Sequence, residues 1–175
     1  RWTFHSDFRG LRDADVGQYD AAEDVEILSG CCMLIRAETL REIGLFNRAF
    51  FAYAEDIDWS LRAREAGIRL RYEPQAALWH KMFGSSRKNG DSKAPKSSPR
   101  VEYLLARNRF LLVRLHAEPL SVRRGFALAY HVFVRRLPRA AGLLLMPARR
   151  AAGRAILEGL RAGWKCHPDP ADCRP

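Results

Sequence analysis

The residues best suited to chemistry in this chain are acids. Glu55, Asp56 and Asp58 follow an aromatic run (Phe46, Phe50, Phe51, Tyr53) and stand where a helical pattern opens. The helix dipole favours an ionised carboxylate at that end, and an ionised carboxylate can take a proton from a hydroxyl. His80 comes 24 residues after Asp56, at the end of a short apolar run, and a basic segment rich in Gly, Ser and Lys follows it. Gly30 interrupts another apolar run, where a missing side chain often marks the close approach of a backbone or a ligand. The acids also admit a plainer reading, in which they cap a helix and Asp58 pairs with Arg62 one turn on.

The elements that must position these residues can be read from periodicity. Residues 1–26 are polar and read as loop. Ile27–Ile35 has the length and apolarity of a strand, and Glu38–Ile43 is a short helical pattern closed by Gly44. Asp56–Ala66 is the clearest helix, with Ile57, Leu61 and Ala66 near one face and Gly67 at its end. Ile68–Tyr72 and Ala76–Trp79 read as strands around Pro74. Residues 81–99 lack apolar periodicity and read as a loop able to close over a substrate. From Val101 to about residue 163 the pattern is helical, broken at Pro119, with Ser121 placed to cap the next helix. Arg100, Arg107 and Arg114 recur every seven residues and share a stripe. The tail 166–175 holds three prolines and reads as disordered.

The 175 residues, 47% hydrophobic, suffice for one core, and no stretch approaches the roughly 18–20 apolar residues of a membrane span. The net charge of +10 is unevenly placed. Residues 1–80 carry 10 Lys and Arg against 14 Asp and Glu, while residues 100–165 carry 14 against 3. A basic second half suggests a polyanionic neighbour, either an anionic membrane surface or nucleic acid. No helix-turn-helix or zinc-finger pattern supports nucleic acid. Cys31 and Cys32 lie in an apolar run and are expected as buried thiols. Cys166 and Cys173 lack zinc-site spacing, and four cysteines are too few for a disulfide scaffold, so a reduced, cytoplasmic compartment is expected.

The segment from Gly30 to Ser86 resembles the second half of bacterial family 2 glycosyltransferases of the rhamnosyltransferase-like kind, which serve cell-envelope polysaccharide synthesis. The resemblance rests on Gly30 with Met33–Arg36, Gly44–Phe46, Phe51–Asp58, Leu61–Gly67 and Trp79-His80, in that order, with Gly17–Asp20 upstream and Tyr103–Arg109 downstream. It implies a GT-A fold, a Rossmann-like α/β sandwich binding a nucleotide-sugar and a divalent metal, Mn or Mg. It places Asp56 as the catalytic base of an inverting transfer, with Glu55 orienting the base or binding acceptor. Gly30, Asp58 and Trp59 would contact substrate, and His80 would complete the metal site.

The family's upstream β-α-β unit and Asp-x-Asp motif have no counterpart here. Asp13-Ala-Asp15 has the letters but follows no apolar strand. The expectation is therefore a fragment, inactive alone, without its donor-binding half. Its residues 1–99 would be the acceptor side of a partial GT-A domain, and 100–165 a basic extension of amphipathic helices. The partners implied are a nucleotide-sugar donor and a glycan or lipid-linked acceptor, with the protein peripheral at the inner face of the cytoplasmic membrane. The other class in view is a non-catalytic basic module that binds anionic membrane or nucleic acid.

Overall fold

The computed structural model describes Phe4 and residues 9–11, 13–80, 98–119 and 121–166. These divide into two compact units, each with its own core.

The first unit holds residues 9–51 and 55–80. Its elements are strand β1 (Glu23–Val25), helix α1 (Ala37–Ile43), a single 3-10 turn (Arg48–Phe50), helix α2 (Glu55–Glu65) and strand β2 (Leu70–Tyr72). The strands pair antiparallel with Asp24 opposite Arg71 and Val25 opposite Leu70, so one cross-strand pair joins opposite charges and the next is apolar. Leu70, Trp59 and Ala63 form the core, with Val25, Leu28, Met33, Ile35, Leu40, Ile43 and Ile68 packed around them. Helix α2 ends as its glycine predicts. Gly67 takes a positive φ of 78°, its N–H reaches the Arg64 carbonyl, and the Ile68 N–H reaches the Ala63 carbonyl. That double closure satisfies the last carbonyls and returns Ile68 to the core beside Ala63.

The second unit holds Phe4 and residues 52–54 and 98–166. Helix α3 (Pro99–His116) starts behind Ser98, whose hydroxyl accepts from the Val101 N–H, with Pro99 in the first turn. Helix α4 (Val122–Ala129) is capped by Ser121, as the sequence predicts, through the Arg124 N–H. It runs without a break into a π-helical stretch (Tyr130–Arg136) and then α5 (Leu137–Leu145), and a 3-10 turn (Pro147–Arg149) leads to α6 (Arg150–Lys165). Ala106, Phe110, Ala140, Leu143, Ala152, Ile156 and Leu160 make its core. Gly159 and Gly163 let α6 lie directly on α3: a Cβ at Gly163 would stand 2.6 Å from the Phe110 ring.

Several expectations change. Ile27–Ile35 is not a strand but extended chain bent at Ser29–Cys32, because the Cys32 N–H closes a turn onto the Ser29 carbonyl. Cys31 and Cys32 consequently sit on the exposed side of that turn rather than in the core. Ala76–Trp79 has no strand partner, and Trp79 is fully exposed. A short strand, β1, arises inside the stretch read as loop. The arginine stripe is also broken up. Arg114 turns to the end of α6, donating to the carbonyls of Gly163, Trp164 and Cys166, where a cation offsets the helix dipole. The loop 81–99 lies outside the described residues except for Ser98 and Pro99, which start α3, and the tail lies outside them beyond Cys166.

Candidate active site

Helix α2 and the chain before it build the site. Residues 28–30 pass beside the first two turns of α2 and enter a turn at Gly30. The Leu28 N–H donates to the Ser60 hydroxyl at 3.2 Å, and the Gly30 N–H donates to Asp56 Oδ2 at 2.8 Å. A Cβ at position 30 would stand 3.3 Å from the Asp56 Cβ, a tight contact that glycine avoids. The Ile57 N–H donates to Asp56 Oδ1 at 2.8 Å, so each Asp56 oxygen accepts one backbone amide and the carboxylate has a single orientation.

Glu55 sits differently. Its Oε2 is buried and accepts no hydrogen bond. Burial pushes its carboxyl above the ordinary glutamate value; its own backbone N–H opposes the shift, and the neighbouring Asp56 adds to it. The pair therefore joins an oriented carboxylate to a carboxyl with a raised affinity for a proton.

Asp58 and Trp59 lie in the interior, 1% and 2% exposed. Asp58 accepts from Arg62 Nε at 3.1 Å, and the same guanidinium donates to the Ile43 and Leu45 carbonyls. Trp59 Nε1 donates to the Gly44 carbonyl and the ring tilts against Phe46. These bonds fix the α1 end to α2, and the Asp58–Arg62 contact is the i,i+4 pair of the plainer reading. His80 is exposed, and among the described residues no group of three His, Cys, Asp or Glu side chains comes together to hold a metal ion. The described residues do not form the donor set that a divalent metal needs.

Periodicity gave no sign of the backbone leading into α2. Phe51, Tyr53 and Ala54 have φ of 62°, 70° and 74°, a left-handed conformation that costs non-glycine residues of order 1–3 kcal/mol each. The buried Asn108 of α3 holds part of it, donating from Nδ2 to the Ala52 and Tyr53 carbonyls at 2.7 Å. Its sequence signal is faint: an asparagine inside an apolar helical face needs a buried polar partner.

An oriented carboxylate beside a carboxyl with a raised affinity for a proton has the chemistry to accept or give a proton. Comparison with known proteins supplies the class. Residues 2–95 match the family model described as glycosyltransferase like family 2, and the chain belongs to that family. Membership implies a GT-A-like α/β fold, of which the described residues show helices and a two-stranded sheet. Among relatives, the chain is 38% identical over 53 residues to an N-acetylglucosaminyl-diphospho-decaprenol L-rhamnosyltransferase of Mycobacterium tuberculosis, covering 30% of this chain and 17% of that protein. It is 30% identical over 114 residues to a dTDP-rhamnosyl transferase of Shigella flexneri, covering 63% and 38%. It is 40% identical over 50 residues to a rhamnosyltransferase of Escherichia coli, covering 29% and 19%. The chain thus spans well under half the length of these relatives. No solved structure matches it.

Proposed function

We propose that this chain carries the acceptor side of an inverting glycosyltransferase that moves a sugar, rhamnose or another hexose, from a nucleotide-sugar to a glycan or lipid-linked acceptor. The observation that carries the reading is the Asp56 carboxylate at the start of α2, fixed by the Gly30 and Ile57 amides inside the region that matches the family. The acceptor hydroxyl gives its proton to Asp56 as its oxygen bonds to the anomeric carbon. The bond from that carbon to the nucleoside diphosphate breaks on the opposite face, and the diphosphate leaves with the electron pair. Glu55 orients the base or binds acceptor. Gly30 brings the 28–30 backbone to the carboxylate. His80 would complete a divalent-metal site whose other ligands, like the donor-binding residues, are not among the described residues, and in this reading the chain alone is inactive.

The test is Asp56→Asn in the complete enzyme that contains this chain, assayed with dTDP-rhamnose and an N-acetylglucosaminyl-diphospho-polyprenol. The substitution keeps shape and removes the base. Loss of roughly 10²–10⁴-fold in kcat, with donor binding retained, is expected. A loss below about tenfold assigns the base elsewhere.

A further inference from the structure

The run α4–π–α5 carries an apolar stripe on its outer side. Val122, Phe126, Phe133, Val134 and Leu145 are between 50% and 82% exposed, while Ala127, His131, Ala140 and Leu143 on the inner side are buried. The spacing from Val122 to Phe126 and Phe133 is that of one helical face. The π-helical stretch sets the rest of the stripe. At a uniform α-helical pitch Leu145 would lie roughly 140° around the axis from Val122. The wider turn of residues 130–136 absorbs that drift, bringing Phe133 and Val134 out together. It also turns Arg136 inward to Glu102 and seats His131 against the Ala106 carbonyl.

Charge says what such a face meets. Residues 122–145 contain five arginines and no acid. Arg136 and Arg139 are bound to Glu102, Arg123 lies over the Phe4 ring, and Arg135 is exposed beside the stripe. A second copy would bring like charges together across a two-fold contact. Nucleic acid would face a strip whose centre is aromatic and aliphatic rather than cationic. No helix among the described residues is long and apolar enough to cross a membrane. An apolar strip flanked by arginines, on a helix too charged to span, has the chemistry of one that lies in a lipid headgroup layer.

We infer that residues 122–145 dock this chain on an anionic lipid surface, with Val122, Phe126, Phe133, Val134 and Leu145 entering the headgroup boundary and the flanking arginines meeting lipid phosphates. The use of that surface rests on the lipid-linked acceptor proposed above. The docking itself needs no sugar transfer, so Asp56→Asn with intact vesicle binding separates the two.

The experiment is co-sedimentation of this chain with phosphatidylcholine vesicles, with and without phosphatidylglycerol, at low and physiological salt. Retention by the phosphatidylglycerol vesicles that weakens with salt is expected. Phe126→Ser with Phe133→Ser should lower partitioning roughly tenfold or more. Arg135→Glu should lower it severalfold, and Val16→Ser, at an exposed apolar residue of the other unit, should not change it. Circular dichroism checks folding of each variant, and Arg135→Glu carries the test if the double serine variant loses helix. The inference is overturned if anionic vesicles fail to retain the chain at low salt, or if the stripe and Arg135 variants bind like the parent. Duplex DNA binding more tightly than the vesicles at physiological salt would also overturn it, as would a concentration-dependent dimer that the stripe substitutions dissolve.

Discussion

Neighbouring carboxyls of one helix start can differ because their oxygens have different company. Asp56 has an amide on each oxygen, whereas Glu55 has a buried oxygen with none. The raised value of Glu55 fixes the sign of a pH effect. A carboxyl whose folded value exceeds its unfolded value adds stability that is full below the unfolded value and is lost as pH rises through the folded one. Glu55→Gln removes that loss. The variant should therefore melt higher than the parent near neutral pH, and the gap should close in acid, which melting curves from about pH 4 to about pH 7 would read. Equal melting shifts at both ends of that range would show that the Glu55 charge is not strained by burial. Position at the helix start does not tell the two carboxyls apart; the course of residues 28–30 decides which one receives the Gly30 amide.

Among the elements, α3 and α6 pack through glycine. A Cβ at Gly163 would meet the Phe110 ring at 2.6 Å and the Arg107 carbonyl at 2.9 Å, and the carbonyl belongs to helix backbone that cannot step aside. Gly163→Val should lower stability by about 1–3 kcal/mol, as overpacked sites do. Gly125 in α4 has nothing within 4 Å of its would-be Cβ, so Gly125→Ala should leave stability equal or raise it by up to about 1 kcal/mol. Denaturant melts of the two variants side by side check both; a Gly163→Val midpoint equal to the parent would mean that the helices do not lie this close. The helices themselves were legible from their period, from Pro119 and from Ser121. The π-helical stretch was not, because it leaves no mark on composition or periodicity.

At the scale of the whole molecule, the basic second half is organised around one buried acid. Glu102 is fully buried and binds Arg136 at 3.4 Å as well as Arg139, tying α3 to the π-helical stretch and α5. The two guanidiniums respond in opposite directions. Desolvation pushes Arg136 down to about 10, while the hydrogen bonds to Glu102 raise the more exposed Arg139. Glu102→Ala leaves both cations without their anion and should cost about 3–5 kcal/mol, seen as a lower thermal midpoint of the chain. A loss under about 1 kcal/mol would mean that water reaches the arginines.

What the sequence determined by itself was whatever local pattern controls: the helical periods, the serine caps, the glycine that ends α2, the acids at its start, and the family through the ordered motif from Gly30 to His80. What only the tertiary structure decided was the use of each polar group. Asp58 and Trp59 carry the family's letters beside the acidic pair, yet helix geometry turns them inward to Arg62 and to the Gly44 carbonyl, while Asp56 meets an amide from 26 residues upstream. One arginine behaves likewise. Arg114 reads as a member of a basic stripe, and long-range packing gives it the carbonyls at the end of α6 instead. Periodicity shows which residues share a face, but the partner of a charge is set by segments far away in the chain, and it takes the folded arrangement to bring the two together.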